Sequence, residues 1–165
     1  MGRGKKTCWD VWNSFEPLTQ CLLNISEAPT ELQQSDFDII QRYVVLLYSR
    51  TSDQHCVNEA RRHLFVQGSR SFENIPPSEA ALREHCKRGI HQGVFVWGST
   101  LQQCPVLPSP VDWGWKVGDN GFLPVWTTQP DAFKACKKGC RGLCKCRKYD
   151  LKCTELCSCQ GGCAT

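Results

Sequence analysis

The chain has no apolar run long enough to cross a bilayer. Its longest hydrophobic stretch is the mixed Tyr43-Val44-Val45-Leu46-Leu47-Tyr48, whereas a spanning helix needs about 20 such residues. No membrane partner is expected. The first thirty residues carry no secretory signal, because Trp9, Asp10, Glu16 and Pro17 interrupt the apolar stretch that such a signal requires. The expected setting is therefore intracellular and reducing. Internal repeats and low-complexity tracts are missing. So are the constellations of catalysis: His55, His63, His85 and His91 fall on expected helices with no spaced acid or cysteine partner, and no paired carboxylates stand out. Gly4-Lys5-Lys6-Thr7 lacks the glycine that a phosphate-binding loop carries five residues before its final Gly-Lys. An enzyme is not expected.

Cysteine is what the chain has in excess, 13 among 165 residues, and eight of them fall in the last thirty. Cys136, Cys140, Cys144, Cys146, Cys153, Cys157, Cys159 and Cys163 follow the pattern Cys-x3-Cys-x3-Cys-x-Cys-x6-Cys-x3-Cys-x-Cys-x3-Cys. In a reducing compartment a dense array of this kind binds metal more often than it forms disulfides. Zinc takes four soft ligands in a tetrahedron, and closely spaced thiolates replace a core too small to fold alone. A reduced thiol tract and disulfides are the rival readings. No histidine occurs in the tail, and catalytic zinc usually draws on histidine or carboxylate ligands and keeps an open position, so a structural site is expected.

The net charge is +4, and it is concentrated. From Lys134 to Cys163 six lysines and two arginines face Asp150 and Glu155, a formal +6, which leaves −2 for the other 135 residues. Lys137, Lys138, Arg141, Lys145, Arg147, Lys148 and Lys152 alternate with the cysteines and are the candidate contacts to nucleic-acid phosphates, DNA first, with RNA left open. Metal buffering of the metallothionein kind would need neither these cations nor Leu143, Leu151 and Leu156.

The remainder reads as mainly α. A short amphipathic stretch holds Trp9, Trp12, Phe15 and Leu18. Ser35 with Asp38 resembles a capping box ahead of Phe37, Ile40, Val44 and Leu47, and Thr51 with Gln54 repeats it before Val57, Ala60 and Leu64. Pro77-Ser78-Glu79 opens a last helix with the stripe Leu82, Cys86, Ile90, Val94 and Trp97, on which Gly89 and Gly93 are expected to admit a neighbouring helix. From Gln103 to Pro130 lie five of the nine prolines together with Trp113, Trp115 and Trp126. There Trp113–Val117, the turn Gly118-Asp119-Asn120-Gly121 and Phe122–Thr127 predict a Trp-rich hairpin, with Pro124 confined to an edge. The tryptophans are expected to pack on the helices, stacking on bases being the rival role. Cys8, Cys21, Cys56, Cys86 and Cys104 are expected as reduced, buried or half-buried thiols. The expected organisation is a helical domain (1–102), a Pro/Trp-rich hairpin linker (103–133) and a cysteine-rich zinc module with little regular secondary structure (134–165).

Residues 134–163 resemble the tesmin/TSO1-like CXC module, a zinc- and DNA-binding unit also found singly in chromatin proteins. The shared features are Cys144-Lys145-Cys146, the six-residue spacer to Cys153, and Cys153-x3-Cys157-x-Cys159 followed by a further cysteine. The resemblance implies zinc ligation by the eight cysteines, a nuclear location and DNA contact. Two departures qualify it. Lys134 stands where the module opens with cysteine, and eight thiolates complete two separate four-sulfur shells, so two zinc ions are expected, and three only with an extra bridge or a non-cysteine ligand. Leu143 stands where relatives carry a tyrosine used at the minor groove, so little sequence preference is expected. Outside the tail, "GRGKKT", "RYVVLLYSRTS", "VNEARRHLF", "ENIPP", "DWGWK" and "WTT" are similar to strings in large proteins of aquatic animals that end in such a tail. That resemblance implies a mobile-element derivation. Because "GRGKKT" is internal in those relatives, it also implies a C-terminal fragment or a shortened gene product. The expected function is that of a zinc- and DNA-binding, chromatin-associated or transposon-derived protein. The alternative is a non-catalytic remnant whose zinc tail is a structural or protein-interaction element.

Overall fold

A computed structural model of the chain describes residues 4–66 and 74–129. Their elements all belong to the first of two units, Met1–Thr128. Five helices come first: α1 (Lys5–Asn13), α2 (Pro17–Ser26), α3 (Gln34–Tyr48), α4 (Val57–Val66) and α5 (Glu79–Ile90). A π-helical turn (His91–Val96), a 3-10 turn (Pro110–Trp113) and an antiparallel hairpin of β1 (Trp115–Gly118) and β2 (Gly121–Pro124) follow. The expectation of a mainly α chain with a small hairpin therefore holds for the described residues. The cysteine-rich module lies outside them.

The core forms where the helices' apolar stripes converge. Phe37 and Val45 of α3 and Val57 of α4 are fully buried, as is Cys21 of α2. Ile25, Leu32, Ala60, Leu82, Ile90 and Trp113 complete the cluster. Burying one such large side chain stabilises the fold by about 1.5–3 kcal/mol. Polar side chains fix the helices' relative positions. Trp12 Nε1 donates to Thr19 Oγ1 at 2.9 Å, joining α1 to α2, and the Tyr43 hydroxyl donates to the Cys8 carbonyl at 3.1 Å, joining α3 to α1. Arg83 of α5 lies 3.9 Å from the Phe37 ring centre and donates to Gln34 Oε1 at 2.7 Å.

Helix starts divide into those set locally and those set by distant residues. At α5 the expected start is found: Ser78 is the N-cap and its hydroxyl accepts from the Ala81 N–H at 3.4 Å. Asn58 of α4 takes the Glu79 N–H at 3.1 Å. The two expected capping boxes are not formed. Helix α3 starts at Gln34 after Gln33, with no side-chain cap, and Asp38 instead accepts from Gln34 and Gln41. Thr51 and Gln54 precede a loop rather than a helix, because Arg42 donates to the Ser52 and Gln54 carbonyls at 2.8 and 2.6 Å. The α4 start is met by Gln41 Oε1, which accepts from the Val57 N–H at 3.3 Å. The Leu82-to-Trp97 stripe also changes course. The helix widens at His91, and Trp97 ends exposed.

The hairpin register pairs Trp115 with Pro124, Lys116 with Leu123, Val117 with Phe122 and Gly118 with Gly121. The Val125 N–H donates to the Gly114 carbonyl at 2.9 Å, so hydrogen-bonded pairs fall at 114/125, 116/123 and 118/121 in the alternation an antiparallel ladder imposes. Pro124 therefore sits in a pair whose N–H positions face away from the partner strand, where a missing donor costs the hairpin nothing.

Candidate functional site

The eight cysteines from Cys136 to Cys163 and the seven cations from Lys137 to Lys152 lie outside the described residues. Among the described residues no group of three or more His, Cys, Asp or Glu side chains is placed to hold a metal. The scattered cysteines are free thiols. Cys21 is buried and donates to the Asp36 carbonyl at 3.4 Å. Its pKa is pushed from 9.0 to about 12, first by burial, then by the charge of the Asp36 carboxylate and hydrogen bonding to that side chain. Burial likewise raises half-buried Cys86 to about 12, against the opposing pull of Arg83 and Arg88. Both stay protonated at neutral pH, and a thiol without its thiolate is neither nucleophile nor ligand. Cys104 departs from expectation by being exposed, since the segment around it makes no helix or strand and turns its side chain to solvent. His55, His63 and His85 are exposed, and His91 is buried with Nε2 3.3 Å from the Pro108 carbonyl.

The α5–hairpin junction gathers the most chemistry in the described unit. Gly114 adopts φ +80°, and a Cβ there would lie 2.8 Å from the Glu84 carbonyl oxygen, so the position suits glycine. Arg88 donates through one Nη1 to the carbonyls of Gly114, at 3.2 Å, and Val125, and its guanidinium lies 5.6 Å from the Trp126 ring centre. Glu84, buried beside it, accepts from Lys87 at 3.2 Å. Trp113 is buried and meets Phe95 at 5.0 Å between ring centres. Trp115 also packs on the core, and its indole Nε1 is buried without a hydrogen-bond partner. The expected packing of the tryptophans on the helices thus holds for Trp113 and Trp115. Trp126 instead leaves most of its surface exposed, with the Arg88 guanidinium over one face of its ring. Gly89 and Gly93 admit no neighbour, with nothing within 4 Å of a Cβ built at either.

A second feature is a cleft of about 400 Å³ between α1 and α3, lined by Asp10, Val11, Ser14, Leu46 and Arg50. Its two lining charges are of opposite sign, Asp10 lying 3.8 Å from Arg50, and Asp10 also takes Lys6 at 2.9 Å.

Apolar exposure is concentrated in one stretch of the chain. Among the described residues, nine of the thirteen exposed large hydrophobic side chains fall between Trp97 and Trp126, so the interaction potential of this unit lies in its last third. No signal in the sequence separated them from core residues, since the same Val, Leu and Trp types supply both. No described helix is long and apolar enough to cross a membrane.

Comparison with family models, with curated proteins and with solved structures finds no match for the chain.

Proposed function

We propose that this chain is a zinc-binding, DNA-contacting protein of the chromatin-associated or transposon-derived kind, acting in the nucleus and without catalytic activity. The observation that carries the reading is the spacing of eight cysteines interleaved with seven cations between Cys136 and Cys163. The donor set fits zinc: eight soft thiolates and no histidine complete two closed four-sulfur shells. Zinc would supply cross-linking in place of an apolar core, and the ligated cysteines would fix the directions of the lysines and arginines between them. Four to six cations reach phosphates together, and counterion release then gives a log–log salt slope of about −4 to −5. Phosphate contacts position a protein without reading sequence, and Leu143 removes a groove-reading tyrosine, so binding is weakly selective.

The test is fluorescence anisotropy of a labelled duplex with the full chain, across salt and with and without chelator. A dissociation constant on the order of 10⁻⁵ to 10⁻⁶ M at physiological salt is expected. Chelation weakens binding even though thiol protonation raises the positive charge. Tighter or unchanged binding after zinc removal contradicts the mechanism. Leu143 favours a second reading, in which the tail is a structural or protein-contact element of a mobile-element remnant. Zinc uptake with no DNA binding at low salt is its signature.

A further inference from the structure

Between the turns at residues 97–101 and the 3-10 turn at Pro110–Trp113 the chain runs extended and in the open. Residues 105–109 form neither helix, strand, turn nor bend. The cause is local. Proline fixes φ at about −65°, and the residue before a proline is confined to extended backbone. Within residues 104–110 the prolines at 105, 108 and 110 therefore restrict every residue except Val106. Ser109, with φ −59° and ψ 127°, lies in the polyproline II region.

This segment is held at both ends and bare between them. The Gln102 N–H donates to the Ser99 carbonyl at 2.9 Å, and the Asp112 N–H to the Ser109 carbonyl at 3.2 Å. The Pro108 carbonyl lies 3.3 Å from His91 Nε2. Among the described residues, the backbone N–H and C=O groups of residues 104–107 have no hydrogen-bond partner, as in a polyproline II turn, which has no internal bonds. Cys104, Pro105, Val106 and Leu107 are all exposed, Val106 at 96%.

We propose that residues 104–108 dock into a partner protein domain through an aromatic-lined groove that takes a polyproline II turn. At three residues per turn, Cys104-Pro105 and Leu107-Pro108 fall on one side of the segment, about 9 Å apart. Each pair is an apolar residue followed by proline, so the groove needs two adjacent apolar pockets, the way SH3 domains take a P-x-x-P stretch. Val106 and Ser109 share the third edge, which faces away from such a groove. Pro108 is half-buried and anchors the far end, which leaves Pro105 the proline most open to a pocket. Backbone set in advance by proline loses little entropy on binding. No cation occurs between Gln102 and Asp112, and Asp112 is exposed, so a groove with a neutral or basic rim fits and an acidic rim does not. The segment needs neither zinc nor DNA, so its docking stands apart from the proposed function.

The test is isothermal titration calorimetry of the reduced, zinc-loaded full chain with purified SH3 domains of acidic and of neutral or basic rim, and with WW and EVH1 domains alongside. Saturable binding to SH3 domains of the neutral or basic kind is expected, displaced by a synthetic peptide of residues 101–112 and unaffected by chelator. Pro105→Ala changes an exposed position and should weaken binding by about tenfold or more, with the thermal transition unmoved. Leu107→Ala should do the same, and if it shifts that transition the Pro105→Ala result decides. Val106→Ala alters the most exposed of these side chains yet should leave affinity unchanged. No binding by any SH3 domain, binding confined to acidic rims or to WW or EVH1 domains, equal losses from Val106→Ala and Pro105→Ala, or loss on chelation would each overturn the proposal.

Discussion

The helical unit and, under the proposed function, the tail use the same residue in opposite ways. In the helical unit cysteine is a small apolar filler: Cys21 is fully buried beside Phe37 and Val45, and its thiol is held protonated by burial. Between Cys136 and Cys163 the larger apolar side chains are Leu143, Tyr149, Leu151 and Leu156, against eight cysteines and seven cations. Where hydrophobic stripes converge, cysteine need not react. In a segment this poor in apolar side chains, ordering requires a bonded centre, which is the role assigned to zinc under the proposed function.

Cys157→Ser removes one thiolate from one of the two proposed zinc shells, and structural zinc contributes about 10–16 kcal/mol of apparent binding energy in small peptides. The variant is expected to lose at least one zinc and its DNA binding, while the helical unit's thermal transition stays in place. Loss of that transition would make the two units one cooperative system. The converse is Phe37→Ala, which opens a cavity at a fully buried site and should cost about 3–5 kcal/mol in chemical denaturation. Its zinc content should be unchanged.

Arg88→Ala sharpens the contrast within the helical unit. It strips donors from the Gly114 and Val125 carbonyls, a loss of about 1–3 kcal/mol. Hydrogen exchange should quicken at the hairpin amides and remain slow in α3. Uniform quickening would show that the junction and the core open together.

The smallest effect near neutral pH concerns the buried thiols. The pKa values of Cys21 and Cys86 are raised to about 12 from 9.0, so the folded state holds protons that the unfolded state releases. Their contribution is complete below about pH 9 and is lost as pH rises towards 12. Urea midpoints should fall more steeply over that window for the wild-type chain than for Cys86→Ala. Equal slopes would mean that Cys86 titrates alike in both states.

Several of these contacts could be read in the sequence and others could not, for physical reasons. Ser78 caps its own helix three residues away, and Gly118-Asp119-Asn120-Gly121 makes its own turn, so both were legible. The starts of α3 and α4 were not. Arg42 draws the Ser52 and Gln54 carbonyls out of helical pairing, and Gln41 meets the Val57 amide from sixteen residues away, which local spacing does not reveal. Periodicity carried the stripe from Leu82 on to Trp97 but missed the widening at His91 that leaves Trp97 in solvent. For the candidate site the balance is reversed. The cysteine spacing and the charge alternation are visible in the chain itself, whereas the exposure of Trp126 beside Arg88 follows only from the structure.

Native mass spectrometry of the reduced, zinc-replete full chain counts the metal ions without reference to any function. Two zinc ions per chain, released by chelator with uptake of protons by the freed thiolates, is the predicted result. One zinc or none would contradict the account, since eight cysteines at this spacing would then be holding something other than two closed tetrahedral shells.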